Sequence, residues 1–381
     1  MKIQIDGTNR LNKGAELMLF AILDQIENKH PDATVLFNDR HSGMDFTKVP
    51  TPLAFHKPLR LRFGHYPWGL LSRLHLPYRY FTEFYPMNSV DLILDASGFR
   101  LGDQWNHSDR YLDDMAGYYK ALKSRGSKLY FLPQAFGPFE TDSGRRSAEI
   151  LNSYADLIIA REAVSRNHLL KAGVSPGKIM QYPDFTLTAK GSFPDSFAMT
   201  RGAVCIIPNR KMFSHTRLDF ETYLDFLSAF ISRIEKSGKQ VYLLNHEGDR
   251  ELKLCRRIQK AFHNRIPLIQ GLNAREIKGM IREAYLVISS RYHGVASALS
   301  QGVPCLATSW SHKYQLLFQD FSLEDQVIDP ERDPQSQLFK LDLLLEPNHN
   351  HSIRVHLQKK TAELARHIEL MWQTIWNAFE N

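Results

Sequence analysis

Short apolar segments that have the character of buried strands alternate with helical segments along most of this chain. The clearest strand candidates are "VDLILDAS" (90–97), "KLYFLPQAF" (128–136), "ADLIIARE" (155–162), "GAVCIIPN" (202–209), "KQVYLLNHEGD" (239–249) and "AYLVISSR" (284–291). Nearly continuous Val, Ile and Leu is typical of strands that helices cover on both faces. The alternation therefore predicts the α/β class, with parallel, doubly wound sheets.

The length of 381 residues exceeds what one hydrophobic core usually serves, so two domains are expected. The periodicity breaks over 184–202, where small and turn residues accumulate as in a linker. We predict an N-terminal Rossmann-like domain over 1–190 and a C-terminal Rossmann-like domain over 200–345. The strand ends of both domains are expected to face a central cleft. A final helix over 350–381 is expected to pack back on the body.

The charge balance favours an anionic partner, because the formal net charge is +7 and the pI is about 9.1. No nucleic-acid reader module and no dense basic block accompany that charge, which disfavours nucleic acid. The three cysteines are widely spaced, so we expect reduced thiols and no metal site. No run of about 18 apolar residues occurs. We therefore expect a cytoplasmic protein; its oligomeric state has no sequence signal.

One segment, 57–85, departs from the strand and helix alternation. It mixes Lys and Arg with Trp, Phe and Tyr, and Glu83 is its one acidic residue. Two interpretations stay open. The segment is either a helical excursion that covers the first sheet, or a basic aromatic surface that rests on anionic lipid or a lipid-linked acceptor.

The stretch "LVISSRYHGVASAL" places Arg291 and His293 where a strand gives way to a helix. Backbone N–H groups at such a helix start, together with Arg291, predict an anion site. His293 is then expected within reach of the anion. The alternatives are that Arg291 forms a salt bridge between domains and that His293 is a core histidine.

Other strand ends and loops carry further candidate residues. Arg161 ends the strand 155–162, and its alternative interpretation is a pair with neighbouring Glu162. The polar loop "GTNRLNKGAEL" lacks the GxGxxG and GxxxxGK[ST] patterns, but such loops bind phosphate or sugar hydroxyls through backbone N–H groups. The remaining candidates are residues that contact the acceptor or lie in a binding loop: Asn9, Asn12, Gly14, Glu16, Gln134 and His246.

Four segments, taken in order, resemble the polysaccharide pyruvyl transferase family: "NKGAE", "LPQAFGP", "AREAVS" followed by "YPDF", and "SSRYHGVASALSQGVPCLATSWSHKY". The resemblance implies a GT-B-like fold and transfer of the enolpyruvyl group of phosphoenolpyruvate onto two hydroxyls of a sugar. It implies no cofactor beyond this co-substrate. Residue by residue, it assigns the Arg-x-His pair to Arg291 and His293 and the mid-chain arginine to Arg161.

The donor chemistry agrees with this assignment. Phosphoenolpyruvate carries a phosphate and a carboxylate, so it needs at least two cations, which Arg161 and Arg291 supply. The predicted donor site is Arg161, Arg291, Tyr292, His293, Gly294 and Lys313. Protonation of the enol carbon needs an acid, and His293 is the predicted general acid, with Arg291 beside it as the second catalytic residue.

The acceptor is expected on the first domain, as a sugar or lipid-linked oligosaccharide of surface polysaccharide assembly. Such an acceptor predicts a peripheral location at the inner face of the membrane. A nucleotide-sugar glycosyltransferase of the GT-B type is the alternative, because a helix-end anion site also holds a diphosphate. A catalytically silent glycan-binding protein is disfavoured, since a neutral glycan needs no such group of cations.

Overall fold

The structure is a computed structural model that describes residues 1–9, 12–37, 53–55, 90–214, 216–308 and 313–380. The predicted basic aromatic segment, 57–85, lies outside the described residues. So does the side chain of Lys313, whose backbone is described.

The first sheet has seven strands in the order β3-β2-β1-β4-β5-β6-β7, and each neighbouring pair is parallel. The strands are β1 Lys2–Asp6, β2 Thr34–Phe37, β3 Leu53–Phe55, β4 Leu92–Asp95, β5 Lys128–Gln134, β6 Leu157–Ala160 and β7 Ile179–Gln181. The helices that alternate with them are α1 Lys13–Lys29, α2 Asp109–Lys123, α3 Asp142–Tyr154 and α4 Ala163–Lys171.

The second sheet has six parallel strands in the order β10-β9-β8-β11-β12-β13. These are β8 Val204–Ile207, β9 Val241–Leu244, β10 Leu268–Ile269, β11 Leu286–Ser289, β12 Cys305–Thr308 and β13 Val327–Ile328. The accompanying helices are α5 Lys211–Ser214, α6 Phe220–Lys236, α7 Gly248–Ala261, α8 Ala274–Arg282, α9 Tyr292–Leu299, α10 Lys313–Asp320, α11 Leu338–Leu345 and α12 Pro347–Glu380.

The chain forms two compact units whose sequence bounds differ in detail from the predicted ones. Unit 1 comprises Met1–Arg10, Met18–Phe185 and His367–Asn381, and unit 2 comprises Leu11–Leu17 and Thr186–Arg366. The change at 185–186 falls inside the predicted linker. The start of α1 groups with unit 2, and the end of α12 groups with unit 1, where Tyr130 Oη donates to Ala378 O at 2.7 Å.

Each unit has its own hydrophobic core, because strands that helices cover on both faces have apolar side chains throughout. Ile93, Phe131 and Tyr119 lie in the core of unit 1, and Ile206 and Phe226 lie in that of unit 2. The three cysteines are unbridged and buried. Among the described residues, no helix combines the length and apolarity that crossing a membrane requires.

Both sheets reverse their direction of winding at one place, and that place positions the candidate site. In unit 1 the reversal lies between β1 and β4, and in unit 2 it lies between β8 and β11. In open parallel sheets, ligands bind outside the carboxyl ends of the strands at such a switch point. Arg291 follows β11, so it lies at the switch point of unit 2.

Candidate functional site

Three hydrogen bonds hold the segment between β11 and α9 in place. Its Ser290 carbonyl accepts from Asn209 Nδ2 and from Tyr314 Oη, each at 2.7 Å. Ser289 Oγ accepts from the backbone N–H of Arg291 at 3.0 Å. Gly294 packs tightly behind the turn, since a Cβ there would lie 2.6 Å from Ser289 Oγ. The residues that carry the candidate chemistry therefore start from a fixed backbone.

Arg291 is held by two carboxylates of its own unit. Its Nε donates to Glu251 Oε2 at 2.9 Å, and its Nη2 contacts both Glu251 Oε1 and Glu247 Oε2. Burial lowers the pKa of the Arg291 guanidinium, and Glu247 opposes this effect. The salt bridge between domains that the sequence left open is thus not the contact observed here, because both partners lie in unit 2.

His293 packs against the start of α1. A Cβ built on Gly14 would lie 2.5 Å from Cε1 and 2.7 Å from Cγ of His293, and closer still to Nδ1. Real Cβ contacts are not that short, so only glycine fits at position 14 with the imidazole where it is. Gly14 therefore contributes to the ring's position through the absence of a side chain.

The "NKGAE" loop, which the sequence predicted to contact a ligand, makes a helix cap in the structure. Asn12 Oδ1 accepts from Gly14 N–H, and Asn12 O accepts from Glu16 N–H, both at 2.9 Å. Glu16 is fully buried, and its carboxylate accepts from Lys13 Nζ at 2.7 Å and from Ala274 N–H at 3.0 Å. Glu16 thereby joins α1 to the first residue of α8.

His246 follows β9 and is 4% exposed. Burial lowers its pKa well below the usual value, and the neighbouring Arg291 and His293 act in the same direction. Its imidazole is therefore neutral near pH 7. Within the described part of the chain, His246 Nδ1 and Asn245 Oδ1 are buried without a hydrogen-bond partner. Buried polar atoms of this kind usually meet a water or a ligand.

Tyr292 opens α9, with its ring 5.3 Å from that of His293 and 6.2 Å from that of buried Tyr314. Lys313 is the first residue of α10. The structure thus brings Arg291, His293 and His246 together with Tyr292 at one edge of the second sheet.

Arg161 belongs to unit 1 and is itself ion-paired. Its side chain is 9% exposed and lies 3.2 Å from Glu162 and 3.6 Å from Asp184. The pair with Glu162 was the alternative interpretation of this arginine. Asp184 stands in the "YPDF" motif, so the two family-like segments meet at this ion pair.

The carboxyl edge of the first sheet carries a second group of unsatisfied polar atoms. Thr8 follows β1, Ser97 follows β4 and Gln134 ends β5, and these are neighbouring strands. Among the described residues, Thr8 Oγ1, Ser97 Oγ and Gln134 Oε1 are buried without a hydrogen-bond partner. Asn9 lies in the same loop as Thr8, half-buried. This edge therefore offers donors and acceptors to a polar ligand.

Asp95 supports that edge of the sheet through hydrogen bonds. It is fully buried, and it accepts from Ser97 N–H at 3.0 Å and from Arg100 Nη2 at 2.7 Å. Asp95 and Arg100 were not predicted as site residues, and neither were the Glu247 and Glu251 that hold Arg291. A signal existed for the glutamates, because acidic residues directly after a strand and in the first turn of a helix lie at the same edge as the other strand ends. No group of three or more metal-ligating side chains occurs among the described residues.

Comparison with known proteins identifies the family. Residues 12–312 match the sequence model of the family described as polysaccharide pyruvyl transferase. The chain belongs to the polysaccharide pyruvyl transferase family. This confirms the resemblance seen in the sequence. The region that the family shares includes both the "NKGAE" loop and Arg291 with His293.

One curated relative of this polysaccharide pyruvyl transferase family member is the amylovoran biosynthesis protein AmsJ of Erwinia amylovora, 22% identical over 227 residues. The aligned region covers 53% of this chain and 54% of AmsJ. The chain therefore spans about half the length of the curated relative that it matches.

Solved structures show the fold of this pyruvyl transferase family member. HepE of Anabaena in complex with UDP-glucose is 14% identical, with 99% of this chain and 100% of that chain covered and a TM-score of 0.61. UDP-GlcNAc 2-epimerase from Methanocaldococcus jannaschii is 13% identical, with coverage of 92% and 94% and a TM-score of 0.60. The predicted α/β class with two Rossmann-like units of the GT-B type is confirmed.

Proposed function

We propose that this protein transfers the enolpyruvyl group of phosphoenolpyruvate onto two hydroxyls of a sugar, which yields a cyclic pyruvate ketal and phosphate. The observation that carries the proposal is Arg291 beside His293 at the switch point of unit 2, in a chain of this family. Such a place offers a fixed cation and a titratable ring to an anionic donor.

Arg291 is the proposed anchor of the donor, and Glu251 is the residue that aims it. Glu251 engages Nε and Nη2 of the guanidinium and Glu247 contacts Nη2, so Nη1 is the nitrogen proposed to bind a carboxylate or phosphate. Arginine presents its donors in a rigid fork, so fixing one edge also fixes the direction of the other. Arg161 is proposed as the second donor-binding cation, with Tyr292, Gly294 and Lys313 completing the site.

His293 is the proposed general acid. It donates a proton to C3 of phosphoenolpyruvate, and the electron-poor C2 that results is attacked by the first sugar hydroxyl. The C2–O bond to phosphate then breaks, and the second hydroxyl adds to C2 and closes the ring. The two hydroxyl protons balance the reaction, because one restores the acid and the other leaves with phosphate or solvent. Neutral His246 is proposed to relay such a proton towards solvent.

The acceptor sugar is proposed to bind at the carboxyl edge of the first sheet. Thr8, Ser97 and Gln134 supply buried polar atoms there, and sugar hydroxyls are both donors and acceptors that match such atoms. A lipid-linked acceptor would place the protein at the inner face of the membrane. Binding of the protein to anionic vesicles that weakens as salt rises would support this location.

The test is the product itself. Phosphoenolpyruvate labelled with ¹³C at C2 is incubated with the protein and a series of methyl hexosides in D₂O. We expect a ketal carbon signal on one hexoside, a CH₂D methyl group and equimolar phosphate. A nucleotide-sugar glycosyltransferase would instead consume UDP-glucose and leave phosphoenolpyruvate unchanged. In thermal melts, phosphoenolpyruvate should stabilise the protein if the proposal holds, and UDP should do so under the alternative.

A further inference from the structure

Unit 2 contains a second cationic site that the proposed reaction does not use. A cavity of about 470 Å³ is lined by Arg210, Phe213, Phe220, Arg250, Lys253 and Arg257. Arg210 follows β8, and Arg250 stands in the first turn of α7 after β9. The cavity therefore opens at the carboxyl edge of the second sheet, to which Arg291 also belongs, but Arg291 does not line it.

The charges around this cavity are unbalanced. Among the described residues that line it are four cations and one acid, Asp219. Asp219 caps α6 by accepting from Thr222 N–H at 2.8 Å, and this bond lowers the pKa of its carboxyl group. Arg257 has an ion pair with Glu221 at 3.6 Å. The part of the chain that the structure describes gives the other three cations no ion pair. Like charges gathered in one concavity favour an anionic ligand.

The helical period places three of these cations on one side of α7. Arg250, Lys253 and Arg257 are spaced so that they share one face of α7. Arg256 of the same helix does not line the cavity and donates to Gln270 at 3.4 Å. The sequence thus gathers charge on the face of α7 that lines the cavity.

An apolar surface lies beside the cations. The rings of Phe213 and Phe220 are 6.5 Å apart, and the Arg257 guanidinium stacks 3.5 Å from the centroid of Phe220. A small inorganic anion would leave these rings unused. The combination fits a ligand in which phosphate groups adjoin an apolar or planar group.

We propose that this cavity binds the diphosphate of a second ligand, an ester whose diphosphate carries an apolar or planar group. In the setting of the proposed function, on which this identification rests, the ligand is an acceptor sugar linked to a lipid through diphosphate. A nucleoside diphosphate shares the same chemistry. The cations bind the phosphate oxygens through charge-assisted hydrogen bonds, and the phenylalanine rings pack against the adjoining group.

Calorimetry at low salt with the full chain tests this proposal. Pyrophosphate, farnesyl diphosphate and UDP are titrated into the wild type, the double variant Arg250→Ala/Lys253→Ala and the control Arg256→Ala. All three substituted residues are exposed, so the variants should fold. We expect farnesyl diphosphate to bind more tightly than pyrophosphate, and about tenfold or more weakly in the double variant than in the control. Tighter binding of UDP than of farnesyl diphosphate would assign the cavity to a nucleotide.

Equal diphosphate affinity in the double variant and in Arg256→Ala overturns the proposal. The same variants titrated with phosphoenolpyruvate separate this site from the donor site, since its affinity should stay unchanged. A parallel loss of phosphoenolpyruvate affinity would make the cavity the donor site and would also overturn the proposal. If phosphoenolpyruvate does not bind at all while the diphosphate result holds, the proposed function fails and the cavity assignment stands.

Discussion

Replacing Gly14 by alanine should lower the catalytic rate strongly and change the stability only a little. The new Cβ would lie 2.5 Å from Cε1 of His293, and ordinary carbon contacts need about 3.5–4.0 Å. The imidazole or the start of α1 must therefore move by roughly 1 Å. A displacement of about 1 Å at a reacting group costs on the order of 100-fold in rate. Alanine also favours the helix by about 0.5–1 kcal/mol, which offsets part of an overpacking cost of about 1–3 kcal/mol.

The assay is phosphate release from phosphoenolpyruvate with an accepted sugar, alongside thermal unfolding. We expect Gly14→Ala to lower kcat about 100-fold while it stays folded. The matched control is Gly117→Ala, a helical glycine in α2 whose Cβ would meet no atom within 4 Å. That control should keep its kcat and gain about 0.5–1 kcal/mol of stability. A Gly14→Ala protein with wild-type kcat would refute the claim that this contact positions His293.

Three further outcomes follow from the same contacts. Glu251→Ala removes the bidentate partner of Arg291, whose side chain is 14% exposed and keeps its contact with Glu247. It should lower the free energy of unfolding by about 1–3 kcal/mol, whereas exposed Glu363→Ala should change it little in denaturant titrations. His246 is neutral in the folded state and becomes protonated when the chain unfolds below pH 6.5, so the free energy of unfolding should fall by up to about 1.4 kcal/mol per pH unit below that pH. His246→Asn should flatten this slope, and an unchanged slope in the variant would refute the assignment. His293→Gln should keep donor affinity and lose kcat about 100-fold or more, and near-native turnover would reduce His293 to a binding residue.

The regular part of the fold was predictable, because buried parallel strands carry a continuous apolar signal. β4, β5, β6, β8, β9 and β11 each lie inside a predicted segment. β10 and β13 have only two residues each, too few for a periodicity to show. The helix α8 was not predicted either, although Asn273 and Glu276 form a capping box at its start, a signal that the sequence does carry.

The candidate site was predictable only in part. Arg291 and His293 were found because they follow a strand whose carboxyl end faces the switch point. The contact of Gly14 with His293 joins residues far apart in the chain, and no local pattern encodes it. Glu16 was predicted as a candidate for ligand contact because it lies next to a polar loop. Its carboxylate instead accepts a hydrogen bond at the start of α8.

The most direct test of the central claim is calorimetric titration of phosphoenolpyruvate into the wild type, Arg291→Ala, Arg291→Lys and His293→Gln. We expect saturable binding to the wild type, a loss of about 2–4 kcal/mol in Arg291→Ala and partial recovery in Arg291→Lys, because lysine cannot grip an anion with a fork. His293→Gln should bind nearly as the wild type does. Unchanged affinity in Arg291→Ala, or no binding of phosphoenolpyruvate to a folded wild type, would contradict the account.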